Sequence, residues 1–285
     1  MRLELFMGDS YFNVYKNNNG DGIMKVFSDD IWLWGQNAGS HHGLWNLPGI
    51  NKLETVEGAA FLGIKNCCRV VMSNNPTPPF DEESAKLAGF EKVVWSVTGD
   101  SSSKRNDLSD DCDEVLRQAA LFPNVTGGVM DDFFRPEEKS ARFTVEKVRE
   151  IARKLHNAPR QLELWLVYYA ALLDIDYRDY LDAVDVITFW SWNSAELAKA
   201  KENIERVISG TPAKKHYAGC YLYNYGDDRP LTAQEMLGQM HLYLDFWKTG
   251  KIDGVIVCSN AVADLGLEAV DVYLDFMKKY GNTAK

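Results

Sequence analysis

The sequence predicts an α/β fold: a single TIM (β/α)8 barrel spanning residues 1–285, with a short N-terminal extension at 1–27. Three observations carry this. Eight short apolar, β-branched or aromatic runs alternate with longer stretches whose apolar residues recur at helical spacing, and eight is the number a closed barrel needs. The runs are rich in continuous Val, Ile and Leu, as burial on both faces of a parallel sheet requires. The 285 residues, 46% of them hydrophobic, suit one such barrel, and no linker rich in Pro, Gly or Ser divides them. A doubly wound open sheet is the other arrangement of alternating strands and helices, but the GxGxxG turn that would follow its first strand is missing.

Taken in order, Asn17-Asn18-Asn19-Gly20 reads as the turn of an N-terminal hairpin. The first strand is 31–35 (Ile-Trp-Leu-Trp-Gly), and the second, 68–73, runs into a rigid loop at Pro76-Thr77-Pro78-Pro79. Strands at 92–97 and 125–131 follow, then a helix over Glu137–His156 introduced by Pro136. The fifth and sixth strands are 162–168 and 184–190, with a helix at Ser194–Ile208. The seventh, 217–223, leads to a helix at Thr232–Thr249, and the eighth, 253–258, to one at Gly266–Tyr280, where Leu267, Val270, Leu274 and Met277 form one stripe.

Composition narrows the function. A formal net charge of −10, with no basic cluster longer than Lys214-Lys215 or Lys278-Lys279, argues against nucleic acid, which demands a basic stripe. Cys67-Cys68 are adjacent, Cys220 and Cys258 sit in apolar runs, and no CxxC pair occurs, so the five cysteines read as small buried hydrophobes. No membrane span is expected, since nowhere are there eighteen consecutive apolar residues. The compartment stays open: cytoplasmic by default, exported if a signal peptide has been removed. The oligomeric state is not legible.

In a barrel enzyme the reacting groups sit on the loops that follow the strands. Here those positions hold Trp34, Gln36, Asn37 and His41-His42; Ser73, Asn74 and Asn75; Trp95, Thr98 and Asp100; Tyr168 and Tyr169; Trp190, Trp192 and Asn193; Tyr223, Asn224 and Tyr225; Ser259 and Asn260. The fourth strand ends differently, in Asp131-Asp132. Flat aromatic rings suit the C–H faces of a pyranose, and amides and phenols satisfy its hydroxyls, so this lining fits a carbohydrate substrate. The expected sugar-binding set is Trp34, Asn37, His41, Tyr168, Trp190, Trp192, Asn193, Tyr223, Asn224 and Asn260, while Trp95 and Tyr169 read as barrel-top packing. Asp131 and Asp132 are the candidate catalytic pair.

Glycoside hydrolysis needs an acid for the leaving oxygen and a group that attacks or stabilises the anomeric carbon. Adjacent strand residues diverge, which makes them awkward as an opposed pair. They suit substrate assistance, in which the sugar's own 2-acetamido oxygen attacks, one carboxylate orients that amide and the other serves as acid and base. A fourth strand closing in Gly128-Val129-Met130-Asp131-Asp132, among Trp, Tyr and Asn, resembles the glycoside hydrolase superfamily and most nearly the substrate-assisted N-acetylhexosaminidases of O-GlcNAcase type. The resemblance implies that Asp131 orients the acetamido group and Asp132 is the general acid/base, with Tyr223, Asn224 and Trp192 lining the sugar pocket.

Two other readings stay open. One is a glycosidase using a distant second carboxylate such as Asp100, Asp227, Asp228 or Asp264; the other is a catalytically lapsed carbohydrate-binding barrel. Neither metal nor cofactor is expected, because His41-His42 lacks companion ligands at other strand ends and no lysine stands inside the barrel for Schiff-base chemistry.

Overall fold

A computed structural model describes residues 24–285. Eight parallel strands close into a barrel: β1 (Ile31–Gly35), β2 (Asn66–Arg69), β3 (Lys92–Thr98), β4 (Val125–Met130), β7 (Glu163–Tyr169), β8 (Val186–Trp190), β9 (Lys215–Tyr221) and β10 (Gly254–Cys258). The remaining pair, β5 (Phe134–Arg135) and β6 (Ser140–Ala141), forms a small antiparallel hairpin above β4. β1 pairs with β10 on one side and β2 on the other, which closes the ring. Around it lie α1 (Thr55–Leu62), α2 (Asp81–Lys86), α3 (Cys112–Leu121), α4 (Val145–His156), α5 (Arg178–Leu181), α6 (Ser194–Leu197), α7 (Ala200–Gly210), α8 (Ala233–Lys248), α9 (Asn260–Ala263) and α10 (Glu268–Tyr280). The chain is thus a single TIM (β/α)8 barrel; the expected N-terminal hairpin falls outside the described residues.

The barrel interior is closed below by aromatic packing. Trp165 stands 4.9 Å from Trp32 and 4.6 Å from Tyr217 between ring centroids, which fills the N-terminal half and leaves the C-terminal half for a site. All five cysteines are buried and free, as their apolar settings predict. Among the described residues no helix is long and apolar enough to cross a membrane.

Three elements differ from expectation. β2 stops at Arg69 because the Val71 amide donates to the Ser96 hydroxyl instead of a strand neighbour and a tight Met72–Asn75 bridge turns the chain. The helix expected from Glu137 begins only at Val145, where the Thr144 hydroxyl caps the Lys147 amide; before it, Lys139 at φ +50° helps turn the β5–β6 hairpin. The Ser194–Ile208 pattern is split, α6 being a four-residue turn capped by Asn193 and α7 starting at Ala200.

Candidate active site

At the C-terminal ends of the strands lies a cavity of about 690 Å3. One wall is aromatic. Trp190 lies 5.3 Å from Trp34 and 5.0 Å from Tyr221, Tyr221 lies 5.2 Å from Tyr225, and Tyr225 stacks on Trp192 at 5.6 Å and 20°. Gly219 makes room for this wall, since a Cβ there would meet the Trp190 ring at 2.1 Å. The facing wall is ionic, carrying Asp100, Asp107, Asp131, Asp132 and Glu138 with Lys104, Arg135 and Arg142. Arg135 is paired with Asp107, and buried Arg142 donates to the Gly99 and Asp100 carbonyls, so both cations are held by the protein itself.

Asp131 and Asp132 both line this cavity. They reach it together because β4 ends at Met130 and Asp132 adopts φ +40°, a left-handed conformation uncommon for a non-glycine residue and costing about 1–3 kcal/mol. The turn directs the Asp132 amide onto Asp131 Oδ1 at 2.8 Å. Asp131 is buried, 6% exposed, and its carboxyl is pushed well above the ordinary range by that burial, then by the charges of Asp132 and Asp100; the Asp132 amide and Arg142 oppose the shift only in part. Asp132 is wetter and holds two donors, the Tyr169 hydroxyl on Oδ1 at 2.8 Å and the Ser101 amide on Oδ2 at 3.0 Å. One member is therefore a carboxyl whose charged form is disfavoured by its dry surroundings, while the other accepts two hydrogen bonds.

Asp100 is occupied. Its Oδ1 accepts from the Ser73 amide (3.1 Å) and Ser103 hydroxyl (2.7 Å), and its Oδ2 from the Ser102 hydroxyl (2.6 Å). Glu196, on the cavity edge, accepts the Trp192 amide at 2.6 Å and so fixes the loop bearing that ring. His41 also lines the cavity; burial lowers its pKa to about 4, against the pull of Asp100, so it is neutral, with Nδ1 3.2 Å from the Tyr225 hydroxyl.

Of the ten residues expected to bind sugar, the cavity brings together Trp34, His41, Trp190 and Trp192. The other six have their polar atoms engaged elsewhere. Asn37 accepts from Arg69, the Tyr168 hydroxyl donates to the Leu172 carbonyl, and Asn193 caps α6. Tyr223 donates to the Trp45 carbonyl at 2.7 Å, and Asn224 ties Ser194 to Asp227. Fully buried Asn260 joins the β1 and β10 loops through three bonds of 2.8 Å to the Gln36 amide, Gln36 carbonyl and Leu53 carbonyl.

Tyr169, read from sequence as packing, stands instead in the cavity on Asp132. Trp45 and Tyr221 were not singled out at all, although Tyr221 sits two places before Tyr223 and shares its strand parity. Among the described residues no group of His, Cys, Asp and Glu is arranged to hold a metal ion.

No family model matches this sequence, and no curated protein matches it. Solved structures do match in shape. The chain is similar to a putative alpha-L-fucosidase from Bacteroides thetaiotaomicron, at 12% identity and TM-score 0.56 over 96% of this chain and 100% of that one. It is similar also to the catalytic domain of a family GH18 chitinase from the fern Peteris ryukyuensis (11%, 0.53, 89% and 100%) and to concanavalin B (9%, 0.55, 88% and 100%). At such identities the likeness shows a shared fold: this barrel is one that glycoside hydrolases use.

Proposed function

We propose that the chain is a retaining glycoside hydrolase that cleaves N-acetylhexosaminides with help from the substrate's acetamido group. The observation that carries the reading is the Asp131–Asp132 pair, turned by the φ of Asp132 onto one cavity and held by the amide of one on the carboxyl of the other. Two carboxyls on the same turn cannot flank a glycosidic bond from opposite faces, as the ordinary mechanisms require. They can serve a reaction in which the sugar supplies its own nucleophile. The aromatic wall offers the flat faces that a pyranose needs, and the glycosidase barrels of similar shape agree with it.

The electrostatics favour a division of labour opposite to the one the resemblance implies. Asp131, holding its proton, is the acid: as the acetamido oxygen closes on the anomeric carbon, the bond to the leaving oxygen breaks and that oxygen takes the Asp131 proton. Asp132, steadied by Tyr169 and Ser101, accepts the acetamido N–H and offsets the positive charge of the oxazolinium intermediate. Water then opens the ring and returns its proton to Asp131. The rival using a distant second carboxylate is disfavoured because Asp100 is saturated by its serines, while Asp227 and Asp264 are bound to Ser194 and Asn224 and to Asn51 and Lys52, and Asp228 is not among the cavity-lining residues.

Aryl N-acetylglucosaminides with good and poor leaving groups test both halves. Asp131→Asn should lose about 10^2–10^4 in rate on the poor leaving group and far less on a dinitrophenyl one, which needs no acid, whereas Asp132→Asn should lose both. The reverse pattern would return the acid to Asp132. Sugar binding without turnover in the wild type would make this a lapsed, carbohydrate-binding barrel.

A further inference from the structure

The loop between β1 and α1 carries a tryptophan in a conformation that needs explaining. Trp45 has φ +50° and Asn46 φ +52°. Elsewhere in the same loop the positive-φ positions are given to Gly39, Gly43 and Gly49, the residue that adopts such angles without a Cβ clash. A bulky ring in the left-handed region is an outlier, and such outliers persist where surrounding structure imposes them, often at functional sites. Here the restraint is visible: the hydroxyl of Tyr223 donates to the Trp45 carbonyl at 2.7 Å.

The result is a half-buried indole at the cavity wall. His41 and Tyr225 each lie 5.0 Å from it, at 75° and 79°, and Trp192 lies 6.3 Å away at 74°. All three contacts are T-shaped, so none of these rings lies parallel on Trp45. Trp192, by contrast, has Tyr225 nearly parallel to it at 20°. Trp192 is also the ring nearer the acids, being 6.3 Å from the Tyr169 ring whose hydroxyl rests on Asp132. Trp45 stands beyond it, one ring further from the reacting centre.

We propose that Trp45 is the platform of a second sugar subsite, taking the N-acetylhexosamine unit next to the one cleaved, so that the preferred substrate is an oligosaccharide. The assignment rests on the glycosidase reading above and specifies its substrate. The half-buried indole at the cavity wall offers a flat apolar surface to the C–H face of a pyranose, and Tyr223 holds its backbone in place.

The experiment compares turnover of chitotetraose, the N-acetylglucosamine tetramer, with that of an aryl N-acetylglucosaminide, in wild type, Trp45→Ala, Trp45→Phe and Tyr223→Phe. Wild type should favour the tetramer, and in Trp45→Ala the ratio of the two kcat/KM values should fall about five- to tenfold, chiefly through KM for the tetramer. Trp45→Phe should restore most of the ratio, and Tyr223→Phe, which frees the loop, should reproduce part of the loss. An unchanged ratio, or an equal fall on both substrates in a folded Trp45→Ala protein, would overturn the subsite while leaving the hydrolase standing. Absence of turnover of either substrate by wild type would sink the hydrolase reading and the subsite with it.

Discussion

Replacing Asp131 by Asn should stabilise the protein, and by an amount that depends on pH. The folded carboxyl binds its proton more tightly than the unfolded one, because burial and the charges of Asp132 and Asp100 oppose ionisation. Above the ordinary aspartate value of about 3.9 the unfolded chain therefore holds fewer protons than the folded chain, and stability falls as pH rises. Each pH unit between the unfolded and the raised folded value costs about 1.4 kcal/mol. Asn removes this cost and keeps an oxygen for the Asp132 amide, which Asp131 accepts at 2.8 Å. One unit of the window corresponds to a Tm gain of about 2–3 °C for a barrel of this size. Thermal melts of wild type and Asp131→Asn at pH ~4 and pH ~7.5 read it directly: near-equal Tm values in acid, and a clear gain for the variant at the higher pH. A gain of the same size at both pH values, or a loss at the higher one, would refute the argument that the folded state raises this carboxyl.

Two further variants separate chemistry from architecture. Tyr169→Phe removes the donor on Asp132 Oδ1, a hydrogen bond to a charged group worth about 1.5–3 kcal/mol, so kcat should drop about 10- to 100-fold with the melting curve little changed; a loss confined to KM would remove Tyr169 from the reaction. Asn260→Ala leaves the Gln36 amide and the Gln36 and Leu53 carbonyls without their partner, at about 1–3 kcal/mol each, so urea unfolding should show a loss of several kcal/mol; a loss under about 1 kcal/mol would mean that these groups find other partners.

The barrel was legible because strand burial on both faces writes continuous apolar runs, and seven of the eight strands fall within two residues of where those runs place them. Direction was harder to read than position. The fifth strand lies at Glu163–Tyr169, one residue from its expected 162–168, and both tyrosines stand at its end, but period-two alternation sends only one of them into the barrel. Tyr169, with Trp165 and Val167, then points inward, and Tyr168 turns out onto Leu172. The amides misled for a different reason. Asn193, Asn224 and Asn260 stand where strands give way to loops, and such places expose backbone groups that an amide side chain satisfies as readily as it would a sugar hydroxyl. Trp45 carried no signal, because its place at the cavity depends on a long loop folding back onto Tyr223. Asp131-Asp132 stood out because two carboxylates close an apolar strand, and both line the cavity; that Asp131 is buried while Tyr169 holds Asp132 was not legible without the fold.

The central claim is that the substrate's acetamido oxygen is the nucleophile. The most direct measurement is kcat/KM on aryl N-acetylglucosaminides whose acetyl methyl carries zero, one, two or three fluorines. If the claim holds, the rate falls steeply with each fluorine, because each withdraws electron density from the attacking oxygen. A rate indifferent to fluorination, or equal turnover of the plain glucoside, would contradict it and send the search to a carboxylate nucleophile in the same cavity.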